Sequence, residues 1–414
     1  VFCTSSGGRG RSCQEDYPVE APSGEFNFTR LERVIFGTGK VESLGGELER
    51  RGLKRAVIVT GKTLGGSKLL DQVTGALGSR CAAVFKGARQ HVPLGTVREL
   101  IDEIERVEGD CLVSFGGGSP IDTAKVAAAA ILTGRDPGAG AHHIDFGGAN
   151  ATVDPARDLV EIAVPTTLSA GEYTPAGGVT NEGTLIKGAV VDPRLQPRTV
   201  INDPALTVET PDWLWVATGM RAFDHAVEAI YSIRHQPIAD TLATKAIRLL
   251  MEHLPASIKT RGTESLAHRG HCQMAAWFSI FGGMNTRFGV SHALGHQIGP
   301  KWDVAHGVTS CITLPHVMRF MADIAPQRFG PIAEGLGVRY DASNGRAAAL
   351  ECADRVRQFV AQFDVPHSLK EANVPHGEIT QIAGTVLDEV ERSKVVDRAV
   401  TREEIVTLLE AAYA

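Results

Sequence analysis

The feature that most restricts the fold is a change of period at Asp203-Pro204. Upstream of it, short β-branched runs alternate with amphipathic ones. Arg33–Phe36 reads as a strand ending in the turn Gly37-Thr38-Gly39, and residues 40–51 read as a helix. Ala56–Thr60 is a buried strand followed by Gly61, and Ala82–Phe85 is another followed by Gly87. Apolar residues recur at helical spacing from Val97 to Val107. Cys111–Phe115 is a strand, and Ser119 opens a helix that reaches Ala130. This alternation predicts a mostly parallel sheet covered on both faces. Downstream, residues 205–414 are rich in Ala, Leu, Glu and Arg at helical spacing, as in 239–254 and 347–363, with few strand signals. That half is expected to be all-α.

A chain of 414 residues is long enough for two domains. The expected division is an α/β domain over 28–203 and a helical domain over 204–414. Residues 1–27 contain Ser-Ser-Gly-Gly-Arg-Gly-Arg-Ser and are expected to form a flexible extension, with no apolar stretch long enough for a secretory signal. A net charge of −6 is unlike the basic stripe of a nucleic-acid binder, and no apolar run is long enough to cross a membrane. The seven cysteines are scattered, with no CxxC pair. This pattern fits buried thiols in a reducing compartment, the cytoplasm, better than a disulfide or zinc framework.

The sharpest local motif is Phe115-Gly116-Gly117-Gly118-Ser119-Pro120-Ile121-Asp122-Thr123-Ala124-Lys125. It follows a strand and opens a helix. Glycines there let backbone approach a pyrophosphate, and the N–H groups and dipole of a helix start favour an anion. Pro120 suits the first helical turn. A tight strand-to-helix turn without a ligand would use the same residues, and the spacing is not GxGxxG. A second loop, Pro165-Thr166-Thr167-Leu168-Ser169, also follows an apolar run. Its hydroxyls suit either a cofactor cleft or a plain turn.

Histidines carry the remaining chemistry. His225 lies in a helical segment, His292 and His296 are four apart and share a helix face, and His306 follows in Ala-His-Gly-Val. Neutral imidazoles from two helices and a loop are a common divalent-metal frame. A fourth ligand would sit one turn before His225, and that position is Arg221. A guanidinium only donates and cannot ligate a cation. Two readings of Arg221 stand. In one its charge fills the vacated metal position and grips a carboxylate or polarises a carbonyl. In the other it turns away to pair with Asp224, three residues on, leaving His225, His292 and His306 for an ion. His142, His143, His253, His268, His271 and His376 have no such context and are expected to be structural or surface residues.

Taken in order, Gly-Gly-Gly-Ser-x-x-Asp-x-Ala-Lys, Pro-Thr-Thr, Asp-Pro-x-Leu-Thr, Thr-Gly-Met-x-Ala-x-x-His-Ala-x-Glu and His-x3-His-x9-His-Gly resemble the iron-containing alcohol dehydrogenases, from about residue 30 onward. Phe85–Pro93, Leu168–Thr174 and Asp192–Ile201 are most similar to the maleylacetate reductase branch. The resemblance implies a dehydroquinate synthase-like fold, an α/β dinucleotide-binding domain plus an all-α catalytic domain, with NAD or NADP in the cleft between them and a homodimeric assembly. It implies cofactor contacts at Gly61, Gly116, Gly117, Gly118, Ser119, Asp122, Thr166 and Thr167. Gly61 stands where many NAD-specific members carry an acid, so NADP is open. It implies metal ligands at Arg221, His225, His292 and His306, of which the three histidines match, and a further catalytic histidine at His296. Because Arg221 replaces the family's Asp, a bound Fe or Zn is not favoured. The expected activity is hydride transfer from NAD(P)H to a small unsaturated oxo acid, with Arg221, His225, His292, His296 and His306 as the catalytic set. The alternatives are an Fe- or Zn-dependent dehydrogenase of alcohols and aldehydes, a lyase or cyclase of related fold, and a cofactor-binding protein without turnover.

Overall fold

In the computed structural model, residues 25–136, 158–183, 186–283, 285–394 and 396–414 are described. The first half carries β1 (Arg33–Phe36), α1 (Leu44–Arg50), β2 (Ala56–Gly61), α2 (Lys68–Leu77), β3 (Cys81–Ala88), α3 (Leu94–Arg106), β4 (Cys111–Gly116), α4 (Gly118–Thr133), β5 (Val160–Pro165), β6 (Ala176–Asn181), β7 (Ile186–Val191) and β8 (Thr199–Asn202). Six of these strands form one sheet in the order β1-β8-β5-β4-β2-β3, and every pairing in it is parallel. The apolar runs explain the central positions. Val57, Ile58 and Val59 on β2 and Leu112, Val113 and Phe115 on β4 are buried, as strands covered on both faces must be. Val97, Leu100 and Ile104 form the buried stripe of α3.

The antiparallel hairpin of β6 and β7 stands apart from the main sheet. It is docked on α4, where Asp122 accepts a hydrogen bond from the Gly178 N–H at 3.0 Å. Beneath it lies Lys125, fully buried, whose Nζ donates to the carbonyls of Gly171 (2.5 Å), Thr174 (2.6 Å) and Ala176 (3.0 Å). These bonds replace the water that a buried ammonium loses.

The second half is helical: α5 (Asp212–Tyr231), α6 (Pro237–Lys259), α7 (Gly262–Ile280), α8 (Val290–Trp302), α9 (His306–Ala322), α10 (Gly330–Leu336), α11 (Gly345–Val360), α12 (His376–Ile379), α13 (Ala383–Ser393) and α14 (Arg402–Tyr413). Helix α5 is the axis of this half and is buried without interruption from Trp215 to Tyr231. Helix α9 lies hard against it. A Cβ on Gly307 would stand 2.3 Å from the Ala217 carbonyl oxygen, so only glycine permits this approach. No helix among the described residues is long and apolar enough to cross a membrane.

The expected flexible extension differs at its end. Residues 1–24 lie outside the described residues, but Phe26 stacks on Phe281 with ring centroids 5.8 Å apart. The Asn27 N–H donates to the Asn285 side chain at 2.6 Å. Contacts with the helical half therefore tie down residues that composition alone marks as tail. His142 and His143 also lie outside the described residues.

Candidate active site

Strand β4 leaves the sheet at Gly116, whose φ of 143° is open to glycine and strained for other residues. The chain then enters α4, whose start has no side-chain cap. The neighbouring loop closes over this turn: the Thr166 N–H donates to the Gly116 carbonyl at 2.8 Å. A Cβ on Gly117 would meet Thr167 Cγ2 at 3.1 Å and Oγ1 at 3.2 Å, and one on Gly118 would meet Ser169 Oγ at 3.4 Å. The uncapped N–H groups at a helix start, lined by backbone and threonine hydroxyls, fit a dinucleotide pyrophosphate. Gly61 closes β2 at the same carboxyl edge of the sheet, within 3.2 Å of the Ala88 carbonyl if given a Cβ. Asp122 Oδ2 accepts from the Gly178 N–H at 3.0 Å, which ties the β6–β7 hairpin to this helix start. The loop is pinned to α5 and to the turn before it, because Leu168 N–H donates to Thr218 Oγ1 at 3.1 Å and Thr210 Oγ1 donates to the Thr166 carbonyl at 2.8 Å. The glycine turn and the helix carrying Arg221 are thus one connected framework.

On α5, Arg221, Asp224, His225 and Glu228 recur at i, i+3, i+4 and i+7 and share one face. All four are buried. Glu228 caps a different helix. Its carboxylate accepts from the Gly289 and Ser291 N–H groups at the start of α8, both at 2.8 Å, and from the Tyr231 hydroxyl at 3.0 Å. An acid at a helix start is favoured by the dipole. Glu228 also takes the Nδ1 side of His292, which sets that ring so that Nε2 faces away. This Nε2 and His225 Nδ1 are buried with no hydrogen-bond partner. The two rings lie 5.1 Å apart between centroids, with Phe288 stacked 4.2 Å from His292.

One turn later, His296 is exposed and its Nδ1 lies 2.6 Å from Glu389 Oε1 on α13. His306 opens α9 with its ring 5.4 Å from that of His296. The histidines therefore form a chain, His225–His292–His296–His306, buried at its first two members, exposed at His296 and half-buried at His306.

Arg221 stays inside. Its Nη1 lies 3.4 Å from Asp224 Oδ2 and 3.5 Å from Ser310 Oγ. The same Asp224 oxygen accepts from Ser310 at 2.6 Å and Ser291 at 2.8 Å. So the pairing with Asp224 forms, yet the guanidinium is not turned to solvent. Burial, then the Arg221 charge, holds the pKa of both His225 and His292 well below the ordinary value. Burial and the neighbouring Glu228 push the Asp224 carboxyl up to about 7, and burial raises Glu228.

His225 Nδ1 and His292 Nε2 are free to ligate, but His225, His292 and His306 do not bring three donor atoms within 4.8 Å of one another. Among the described residues, the group whose donor atoms all lie within 4.8 Å of one another is Asp224, Glu228 and His292, and it excludes His225 and His306. Its carboxylates are already engaged by Ser291, Ser310, Gly289 and Tyr231. A fixed cation in the same pocket makes any further positive charge costly at low effective dielectric.

Family models for the iron-containing alcohol dehydrogenase match residues 32–204, and for the C-terminal part of the same family residues 215–413. The chain belongs to the iron-containing alcohol dehydrogenase family. It is 30% identical over 386 residues to maleylacetate reductase of Burkholderia cepacia, covering 93% of this chain and 96% of that one. It is 29% identical over 367 residues to NAD-dependent methanol dehydrogenase of Bacillus methanolicus, covering 88% and 94%. The solved alcohol dehydrogenase of Oenococcus oeni superposes with a TM-score of 0.86 at 28% identity, covering 94% of this chain and all of that one. The family is one of oxidoreductases, and the resemblance to its maleylacetate reductase branch is supported; these relatives' substrates range from methanol to maleylacetate, so membership leaves the substrate open.

Sequence reasoning did not single out Glu228, Ser291, Ser310 or Glu389. Glu228 sits in the α5 motif at helical spacing from His225 and was within reach. Glu389 joins the site from 93 residues beyond His296, a contact that no local pattern encodes.

Proposed function

We propose that the chain is an NAD(P)H-dependent reductase of a small α,β-unsaturated oxo acid of the maleylacetate type, working without a resident metal. The observation that carries this reading is the buried guanidinium of Arg221 beside two imidazoles kept neutral. Similarity to the maleylacetate reductase of Burkholderia cepacia supports the substrate class. Gly116, Gly117, Gly118, Ser119, Thr166 and Thr167 would hold the dinucleotide, with Gly61 leaving room for either coenzyme. Bound NAD(P)H would supply the hydride.

Hydride addition at the alkene carbon β to the oxo group sends the alkene electron pair to the oxo oxygen. Arg221 stabilises the enolate that forms and gives the carboxylate a two-pronged partner. His225 and His292 line the pocket as neutral groups, with Glu228 fixing the His292 ring. His292 is a poor proton carrier at neutral pH because burial and Arg221 keep it unprotonated. His296, open to solvent and held at Nδ1 by Glu389, then delivers the proton to the α carbon. His306 buttresses that ring. Proton, hydride and substrate together give the saturated oxo acid and NAD(P)+.

The test is a panel of unsaturated oxo acids, simple aldehydes and alcohols, run with both coenzymes. The expected result is kcat/KM for an unsaturated oxo acid at least about 100-fold above any simple aldehyde, roughly 2.7 kcal/mol of discrimination. Faster oxidation of methanol or another simple alcohol would favour the dehydrogenase reading that the Bacillus methanolicus relative suggests. Absence of any NAD(P)H-linked turnover would leave a binding protein.

A further inference from the structure

The loop that follows β3 carries two consecutive non-glycine residues in left-handed backbone, His91 (φ 62°) and Val92 (φ 51°). For a β-branched residue such a conformation is an outlier, and it persists only where neighbours enforce it. Here the β6–β7 hairpin supplies them. Thr180 Oγ1 donates to the His91 carbonyl at 2.6 Å. The Thr180 N–H donates to the Val92 carbonyl at 2.9 Å, and the Val92 N–H donates to the Arg89 carbonyl at 3.1 Å. Val92 is itself buried. The backbone fixed in this way aims His91 at the helical half, where its Nε2 lies 2.9 Å from Asp303 Oδ1. The Gln90 amide nitrogen is farther from the same ring atom, at 3.3 Å. Asp303 is left-handed as well, with φ 53°. It ends α8, and the Val304 N–H after it donates to the Gly299 carbonyl at 3.1 Å.

Both sides of this contact lead to the cleft. Strand β3 finishes beside Gly61 at the carboxyl edge of the sheet, the edge at which parallel sheets take up ligands. The hairpin that steers His91 is the one that Gly178 ties to Asp122, in the helix opened by the glycine turn. On the other side, Asp303 stands between α8, which carries His292 and His296, and α9, which begins at His306. Hydrogen bonds therefore run from α4 through the hairpin and loop 89–93 to the turn between the histidine helices. They join the two halves across 212 residues of sequence.

We propose that His91 and Asp303 form a latch that holds the helical half over bound NAD(P)H, so that opening of the latch sets the rate of coenzyme release. The proposal rests on the reading of the glycine turn as the coenzyme site. With its proton on Nε2, the imidazole donates to the carboxylate in a charge-assisted bond. Coenzyme exchange requires the halves to part. Parting breaks this bond, while the hairpin keeps His91 aimed for reclosure. His91 is thus a positioning residue, acting through Asp303 and not on the reacting atoms. Because the Asp303 side chain is 84% exposed, the latch is worth one solvent-screened bond, about threefold to fivefold in the population of the closed form.

Glycine accepts left-handed backbone, so His91→Gly and Asp303→Gly remove the two side chains while keeping the loop conformations. Release of NADH and of NADPH is followed by stopped-flow fluorescence after a chase with oxidised coenzyme, and a thermal melt shows that each variant is folded. In each single variant release should be about threefold to fivefold faster than in the parent. The double variant should be no faster than either single one, because both changes remove the same bond. Asp303→Asn, which keeps an acceptor oxygen, should fall between. Release at the parental rate in both single variants, or effects that multiply in the double variant, overturns the latch alone. A parent that binds neither coenzyme overturns the reading of the glycine turn and the latch with it.

Discussion

Removal of the buried guanidinium is the most informative single change. In Arg221→Ala the pocket loses its fixed cation while the helices around it stay in place. The ground-state loss is modest, because the Arg221 contacts at 3.4 and 3.5 Å are long. Asp224 keeps its hydrogen bonds from Ser310 and Ser291. With its carboxyl already pushed up to about 7, Asp224 takes a proton instead of standing as a lone buried charge. The expected stability cost is therefore about 1–3 kcal/mol, below the roughly 3–5 kcal/mol of a broken buried pair whose partner stays ionised. The kinetic loss is larger. Removing an oxyanion donor costs about 2–4 kcal/mol in the transition state, roughly 30- to 1,000-fold in kcat. The assay follows loss of NAD(P)H absorbance with an unsaturated oxo acid, alongside a thermal melt to show that the variant is folded. Arg221→Lys keeps the charge but not the planar fork and should fall between the two. A folded Arg221→Ala with kcat within about threefold of the parent would refute the electrophile role.

Three further outcomes follow from particular contacts. Gly117→Ala sets a methyl against Thr167 at 3.1 Å and should weaken NAD(P)H binding about tenfold, or 1.4 kcal/mol, with the substrate KM little changed; fluorescence titration reads it, and unchanged coenzyme affinity would remove the Gly116–Ser119 turn from the cofactor site. Glu161 and Glu172 are pushed up from 4.5 to about 7, chiefly by burial. A raised carboxyl means that the folded state holds protons which the unfolded chain has lost, so stability should fall as pH climbs from about 4.5 through 7; denaturant melts should show this fall, shallower in Glu161→Gln, and an identical slope in that variant would argue against it. Gly307→Ala forces the Ala217 carbonyl away from α9 and should cost about 1–3 kcal/mol, moving His306 with it and lowering turnover; a variant with parental melting temperature would contradict the close approach of α5 and α9.

Much of this arrangement was legible because it is local. The buried runs of β2 and β4 and the stripe on α3 are readable from period alone, since a strand covered on both faces must be apolar and a half-buried helix must be striped. The observed α3, Leu94–Arg106, starts three residues before the apolar spacing shows, because Pro93 opens it. The Arg221–Asp224 pair follows from helical spacing. The hairpin of β6 and β7 did not show, because Gly177 and Gly178 dilute its strand signal and its docking depends on Asp122 from another element. The strand order, in which β1 and β8 meet across more than 160 residues, is set by packing that no window of sequence contains. The engagement of Glu228 with α8 and of Glu389 with His296 are likewise long-range. Both decide how the histidines behave, one fixing the His292 ring and the other holding His296 at the solvent edge.

The most direct measurement is turnover of the unsaturated oxo acid after exhaustive chelation. With Arg221 supplying the positive charge, kcat should be unchanged and should not rise when iron or zinc is returned. Loss of turnover on chelation, restored by one equivalent of either metal, would mean that an ion and not the guanidinium carries the chemistry.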